Sequence, residues 1–177
     1  MELRRHLAWS VFAFLVVAIV VSDQLLKQWV LASFEPYRVY PVLGDWLRID
    51  FIHNAGGLFG LLQGTAPIFA LATIVVAGLI ALLEYRWGWQ SWLTTLALGL
   101  LLGGAIGNFI DRIRFGYVID FVDIGAGEWR WYVFNVADMA VTCFFLSLIA
   151  MWIFAPRLLA GDGEDEEPDV AGGPVGR

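Results

Sequence analysis

The sequence has few of the residues that bind metals or form covalent links. Its 177 residues include one cysteine, Cys143, and two histidines, His6 and His53. A lone cysteine cannot form a disulfide within the chain or a cysteine-based metal site, and Cys143 lies in an apolar run that predicts a small buried side chain. The absence of His-Glu-x-x-His and Gly-x-Ser-x-Gly argues against a zinc metalloprotease and a serine hydrolase of that type. We expect no cofactor and no metal, although spacing alone leaves open a divalent cation held by paired acids.

Charged residues are also scarce, at 16% of the chain, whereas 59% is apolar. A soluble domain carries about 25% charged and about 45–50% apolar residues. The formal net charge of −6 belongs mostly to residues 161–177, which hold six acids and one base. That composition predicts a disordered acidic tail, and residues 1–160 are predicted to form one nearly neutral membrane domain. No basic stripe indicates nucleic acid binding.

Four apolar segments approach the length of about 20 residues that a membrane helix needs. They predict an all-α membrane protein with four transmembrane helices, at about 8–30, 67–83, 92–110 and 136–155. Four spans place both termini on one side. Arg4 and Arg5 favour cytoplasmic termini, although bases in the opposite loops weaken the positive-inside argument. The first segment lacks an Ala-x-Ala-like cleavage site, so we interpret it as an uncleaved helix.

Two long loops, at about 31–66 and 111–134, lie on the face opposite the termini. Apolar and polar residues alternate over 46–52 and again over 128–132. This period of two is typical of a half-buried β-strand. We therefore predict a small extracytoplasmic β-platform formed by the long loops.

Ionisable side chains in or near a membrane span are costly and are candidates for function. Asp23 and Lys27 are four residues apart on the first span, in the favourable order for an ion pair. Asn108, Asp111 and Arg112 share one helix face at the end of the third span. A capped helix end with an internal salt bridge is the purely structural interpretation of that group.

Asp120 and Asp138 are the two acids that best fit chemistry. Asp120 lies within an apolar run, and Asn135 fits a helix N-cap with Asp138 as the third helical residue, where an acid also complements the helix dipole. Two carboxyls held together at a partly dehydrated site share one proton, which gives an acid and a base. Such a pair can activate water against an amide carbonyl and then protonate the leaving amine.

Two other classes of function use the same residues differently. A small transporter or proton-coupled carrier would use the acids as a permeation or relay site, and it predicts polar groups spread across the depth of the membrane. A structural or assembly subunit would offer Gly99, Gly103 and Gly107 to a partner helix. Small residues at this spacing allow close contact between membrane helices, so we interpret the repeat as a packing feature.

Five motifs, in order, resemble those of the bacterial lipoprotein signal peptidases, also called signal peptidase II. They are DQLLK at 23–27, NAGGLFG at 54–60, GGAIGNFIDR at 103–112, GYVIDF at 116–121 and FNVAD at 134–138. The resemblance covers about residues 8–155, and the acidic tail lies outside it.

The resemblance implies an intramembrane aspartic endopeptidase that removes signal peptides from diacylglyceryl-modified prolipoproteins and cleaves before the lipidated cysteine. Asp120 and Asp138 match the two catalytic aspartates of the family. Ten further positions match residues that line or support the site: Asp23, Lys27, Asn54, Gly56, Gly104, Asn108, Asp111, Arg112, Asn135 and Ala137. The resemblance also implies a bacterial cytoplasmic membrane location, a site near the extracytoplasmic surface, contact with membrane lipids and inhibition by globomycin. We expect a monomer.

Overall fold

The computed structural model describes residues 2–55, 66–88 and 91–160 of the chain. They form four helices and four strands. In chain order these are α1 (Glu2–Ser33), β1 (Val39–Leu43), β2 (Leu47–Asn54), α2 (Ala66–Trp87), α3 (Trp92–Phe115), β3 (Val118–Ala126), β4 (Trp129–Arg130) and α4 (Val136–Ala160). The tail, 161–177, lies outside the described residues.

The helices coincide with the predicted apolar segments and extend beyond them. Within the described residues, α1, α3 and α4 are long and apolar enough to cross a membrane. Helix α3 begins after Ser91, whose hydroxyl accepts from the amide of Thr94. It ends before Gly116, the C-cap, whose φ of 78° suits glycine. It therefore continues past the predicted end at residue 110, because its last turn is stabilised by packing and ion pairs that hydropathy does not register.

The sheet is antiparallel with the strand order β1-β2-β3-β4. The alternating pattern at 46–52 corresponds to β2, and the pattern at 128–132 contains β4. Strand β3 pairs with β2, with Ile52 opposite Asp120 and Asn54 opposite Val118. Alternation of apolar and polar residues did not indicate β3, because five of its first six residues are buried and the strand has no separate exposed face there.

Two apolar clusters organise the interior. Phe12, Ile80 and Leu98, from three different helices, form one with Leu102. Val30, Phe51 and Ile119 form the other with Phe121, and it joins the end of α1 to the inner face of the sheet. This second cluster fixes β3 against the helices.

The glycine repeat of α3 is a packing feature, as predicted. A Cβ at Gly99 would lie 2.9 Å from Leu15, and one at Gly103 would lie 2.9 Å from Ile19. A Cβ at Gly104 would collide with the carbonyl oxygen of Ala137. Glycine thus brings α3 close to both α1 and α4.

The prediction for Cys143 was wrong, because this side chain is exposed on α4. An apolar run predicts burial in water, but on a helix that can span a membrane the outer apolar face needs no protein partner.

Candidate active site

The structure brings the predicted site residues to one end of the helices, where α1, α3 and α4 meet the sheet. Asp120 and Asp138 come from β3 and from the first turn of α4. The remaining predicted residues surround them, except Gly56, which lies outside the described residues. The end of α3 contributes three of them, since Asn108, Asp111 and Arg112 are helical.

Asp120 is buried, with 1% of its surface exposed, and two amides hold its carboxyl group. Asn54 donates to Oδ2 at 2.8 Å, and Asn135 donates to Oδ1 at 2.7 Å. The pKa of Asp120 is raised to about 7, mainly by burial and in addition by the negative charge of Asp138. The side-chain amides of Asn54 and Asn135 act in the other direction, because they stabilise the charged form.

Asp138 occupies the N3 position of α4, as predicted. Its backbone amide donates to Asn135 Oδ1 at 2.9 Å, and the Asn135 amide donates to Asp138 Oδ2 at 3.2 Å. This reciprocal pair is a capping box in which aspartate replaces the usual glutamate or glutamine. The second oxygen of Asp138 accepts from Asn108 Nδ2 at 2.7 Å. The capping interpretation and a role in the site are therefore compatible.

Asn135 is the residue that ties the two acids together. Its side-chain oxygen accepts from the backbone amide of Asp138. Its side-chain nitrogen donates to Asp120 Oδ1 and to Asn108 Oδ1, the latter at 3.0 Å. Its own surface is fully buried. Because one residue donates to both carboxyl groups, to Asp120 from its side chain and to Asp138 from its backbone amide, the fold rather than either acid fixes their relative position.

Lys27 lies beneath this pair as a buried cation. Its Nζ is 2.8 Å from Asp23 Oδ2, 2.8 Å from Asp111 Oδ2 and 3.2 Å from Asn108 Oδ1. An ammonium has three N–H donors, and three acceptors are present. The predicted Asp23–Lys27 ion pair is confirmed, and the structure adds Asp111 as its second acid.

The two acids of this ion pair network also bind backbone groups of the neighbouring elements. Asp23 Oδ1 accepts from the amide of Ala137, one of the amides of the first turn of α4. Asp111 Oδ2 accepts from the amide of Ile119, next to Asp120. The charged network thus positions the two segments that carry the candidate catalytic acids, strand β3 and the first turn of α4.

Gln24 belongs to this network although we did not predict it. Its Nε2 is 2.9 Å from Asp111 Oδ1 and 3.2 Å from the carbonyl oxygen of Gly107. A polar residue between Asp23 and Lys27 in an apolar helix was the available signal. Gln24 lies three residues before Lys27, so helical spacing also places it beside that cation.

Arg112 supplies a second cation near the acids. Its guanidinium donates to the carbonyl oxygen of Asn108 at 3.2 Å and interacts electrostatically with Asp138, Asp120 and Asp111. On the strand side, His53 stacks on Tyr117 with ring centroids 4.1 Å apart. Burial lowers the pKa of His53, so a neutral imidazole borders Asn54 at neutral pH.

The described residues contain no group of three or more His, Cys, Asp or Glu side chains arranged to hold a metal ion. The arrangement instead offers two neighbouring carboxyl groups, and the pKa of one of them, Asp120, is raised to about 7. Such a pair can hold one proton between two acids, which is the requirement for activating water with one carboxyl and protonating with the other.

Comparison with known proteins supports the family that the sequence motifs resemble. Residues 15–154 match the model of the family described as signal peptidase (SPase) II. The lipoprotein signal peptidase of Moorella thermoacetica is 41% identical over 154 residues, covering 86% of this chain and 95% of that protein. The one from Syntrophomonas wolfei is 38% identical and covers 84% and 92%.

Solved structures agree with the sequence relatives. A bacterial membrane enzyme determined by the in meso method superposes with a TM-score of 0.73 at 25% identity, covering 90% of this chain and 94% of that one. The match to the family model, over residues 15–154, includes all five motifs and the segments that carry Asp120 and Asp138. The chain belongs to the signal peptidase II family of aspartic peptidases.

Proposed function

We propose that this signal peptidase II removes signal peptides from diacylglyceryl-modified prolipoproteins and cleaves before the lipidated cysteine, with Asp120 and Asp138 as its catalytic pair. The observation that carries the assignment is that Asn135 donates to both carboxyl groups, from its side-chain nitrogen to Asp120 Oδ1 and from its backbone amide to Asp138 Oδ2. A pair fixed in this way is preorganised, so no reorganisation is needed when the peptide bond arrives.

The chemistry follows from one proton shared by two acids. At neutral pH the carboxylate removes a proton from water, and the water oxygen attacks the carbonyl carbon of the scissile amide. The protonated carboxyl donates to the carbonyl oxygen, and a proton returned to the leaving nitrogen completes cleavage. Burial of Asp120 favours its protonated form, so we assign this acid as the proton donor of the first step.

The surrounding residues position this pair. Asn54 contacts Asp120 directly, so its role is to orient the aspartate rather than a substrate carbonyl. Asn108 orients Asp138, and Lys27 with Asp23 and Asp111 fixes the elements beneath. Gly104 and Ala137 act through the close contact of α3 and α4. Gly56 and Arg112 complete the proposed supporting set.

In the proposed arrangement, α2 spans the bacterial cytoplasmic membrane together with α1, α3 and α4, and both termini are cytoplasmic. The sheet then forms an extracytoplasmic platform, and the dyad lies near that surface, where a lipid-anchored peptide is presented. The clustering of acids at one end of α1, α3 and α4 supports this arrangement over a carrier, for which polar groups are expected along the spans. Residues 1–160 form the domain, as a monomer that globomycin inhibits.

The test is cleavage of a diacylglyceryl-modified precursor by purified Asp120→Asn and Asp138→Asn variants. Each should lose at least about 100-fold in kcat, since each removes one partner of the acid–base pair. Glu35→Gln is the matched control, because Glu35 is an exposed acid that pairs with the exposed Arg38. Near-full activity in either folded aspartate variant would refute the dyad, and inhibition by a chelator would indicate a metal enzyme instead.

A further inference from the structure

The end of the bundle farthest from the dyad contains a pocket of about 380 Å³ that the peptidase chemistry does not use. It lies between the start of α1 and the end of α2 and is lined by Glu2, Arg5, His6, Trp9 and Tyr85. From Glu2 to Asp23 the helix rises roughly 30 Å, so the pocket is at the opposite membrane surface from the candidate active site. Its volume is within the range of small-ligand sites.

Arg5 is presented in this pocket in a way that suits an anion. Its guanidinium carbon lies 4.0 Å from the centroid of the Tyr85 ring. Stacking uses the face of the guanidinium, whereas its N–H donors lie in the plane and at the edge. In the part of the chain that the structure describes, no carboxylate forms an ion pair with Arg5. The stack therefore holds a preorganised cation whose edge can bind a phosphate.

The other lining residues fit a lipid better than a free anion. Trp9 packs against the apolar cluster of the helices, so the floor of the pocket is apolar. On α2, Leu82 and Ile74 lie three and eleven residues before Tyr85, on its side of the helix, and are about half exposed. They form an apolar strip that leads away from the pocket. A phosphate at Arg5 would thus have room for acyl chains directly beneath it.

We propose that this pocket binds the phosphodiester headgroup of a membrane glycerophospholipid. Arg5 and His6 take the phosphate, and Glu2 accepts a hydrogen bond from the amine or hydroxyl that the headgroup carries. The acyl chains follow Leu82 and Ile74. Basic pockets between membrane helices are an established type of lipid headgroup site. The proposal needs membrane insertion but does not depend on the dyad.

The experiment titrates the purified full chain in detergent micelles with phosphatidylglycerol or phosphatidylethanolamine and measures bound lipid by native mass spectrometry. Arg5→Gln should weaken binding roughly tenfold, the loss expected for a charge-assisted phosphate contact. Arg86→Gln is the matched control, since it removes one positive charge at the same end from a residue that does not line the pocket, and it should cost less than about threefold.

Three results would overturn the proposal: equal losses in both arginine variants, equal binding of a diacylglycerol that lacks phosphate, or displacement of the lipid by millimolar inorganic phosphate. Tyr85→Leu is the second variant, in which loss of the stack should weaken binding severalfold, and unchanged binding would contradict the site. Asp120→Asn should bind lipid like the parent, and Arg5→Gln should cleave precursor like the parent in detergent, which separates this site from the proposed function.

Discussion

Asn135 shows how much one neutral side chain contributes to this site. It caps α4, and its amide nitrogen lies within hydrogen-bonding distance of Asp120, Asn108 and the carbonyl oxygen of Ile119. A carboxylate in its place would add a third negative charge next to two acids, and a hydrophobic residue would leave buried acceptors without donors. Only an amide side chain can donate to Asp120 and accept from the backbone amide of Asp138 without changing the charge of the site.

The pKa of Asp120 predicts the pH dependence of cleavage. Because this pKa is raised to about 7, Asp120 loses its proton as the pH rises through neutrality, and kcat/KM should fall on the alkaline side. Asn54→Ala removes an interaction that stabilises the charged form, so the pKa should rise further and the alkaline limb should move to higher pH. A pH–rate profile of both proteins checks this, and a limb that moves to lower pH would contradict it.

Lys27 should be essential for stability, because it is a fully buried cation between two buried acids. Lys27→Met leaves both carboxylates without their counter-charge, and breaking such a pair costs about 3–5 kcal/mol. Thermal unfolding in detergent measures the loss. Arg38→Met is the comparison, since the exposed Arg38–Glu35 pair should contribute about 1 kcal/mol or less. Similar unfolding temperatures for the two variants would show that the buried network is dispensable.

At the scale of elements, the close contact of α3 and α4 sets the distance between the amides and the acids. Asn108 on α3 and Asp138 on α4 are joined by a 2.7 Å hydrogen bond. One turn from Asn108, Gly104 leaves no room for a side chain against Ala137. The glycine therefore belongs to the site through packing, although it carries no functional group.

Gly104→Ala should separate the two helices and disrupt this hydrogen bond. Overpacking of this kind costs about 1–3 kcal/mol, and activity should fall with it. Gly78→Ala is the control on α2, where an added Cβ meets nothing within 4 Å and should be neutral or slightly stabilising. Both variants are compared by thermal unfolding and by precursor cleavage. Equal behaviour would mean that the helix contact relaxes without cost.

The sheet has a separate ionic clamp near its hairpin ends. Asp123 is buried and binds Arg48 Nη2 at 2.6 Å and Arg130 Nε at 2.7 Å. Asp45 contacts the same two arginines and the amide of Gly127. The clamp joins the β1–β2 and β3–β4 hairpins, so the strands that end near the dyad are braced at their far ends.

For the whole molecule, the charge imbalance is separate from the domain. The tail at 161–177 carries six of the acids, and the family match ends at residue 154. Deletion of residues 161–177 should therefore leave precursor cleavage within about twofold, because an acidic composition of this kind predicts little buried apolar surface. The measurement compares kcat/KM for the full and shortened chains. A large loss of activity would assign the tail a role in the reaction.

The extent of prediction differs between parts of the chain. The helices, β2 and the Asp23–Lys27 pair were predictable, because hydropathy and residue spacing are local properties. The capping role of Asn135 and Asp138 was predictable for the same reason. Strand β3, the continuation of α3 to Phe115 and the role of Gln24 were not, since each depends on what packs against it.

The sequence by itself determined that this chain enters a membrane and that its few acids are exceptional, because the cost of placing charge among apolar residues is set by composition and position alone. The motifs also determined the family. The motifs also indicated Asp120 and Asp138 as the pair, and only the tertiary structure decided how these two acids are held together. Asp120 and Asp138 are far from Lys27 in sequence, and their geometry comes from helix packing, an antiparallel strand and one shared asparagine. Contacts of that kind arise from close packing in three dimensions, which no local pattern encodes.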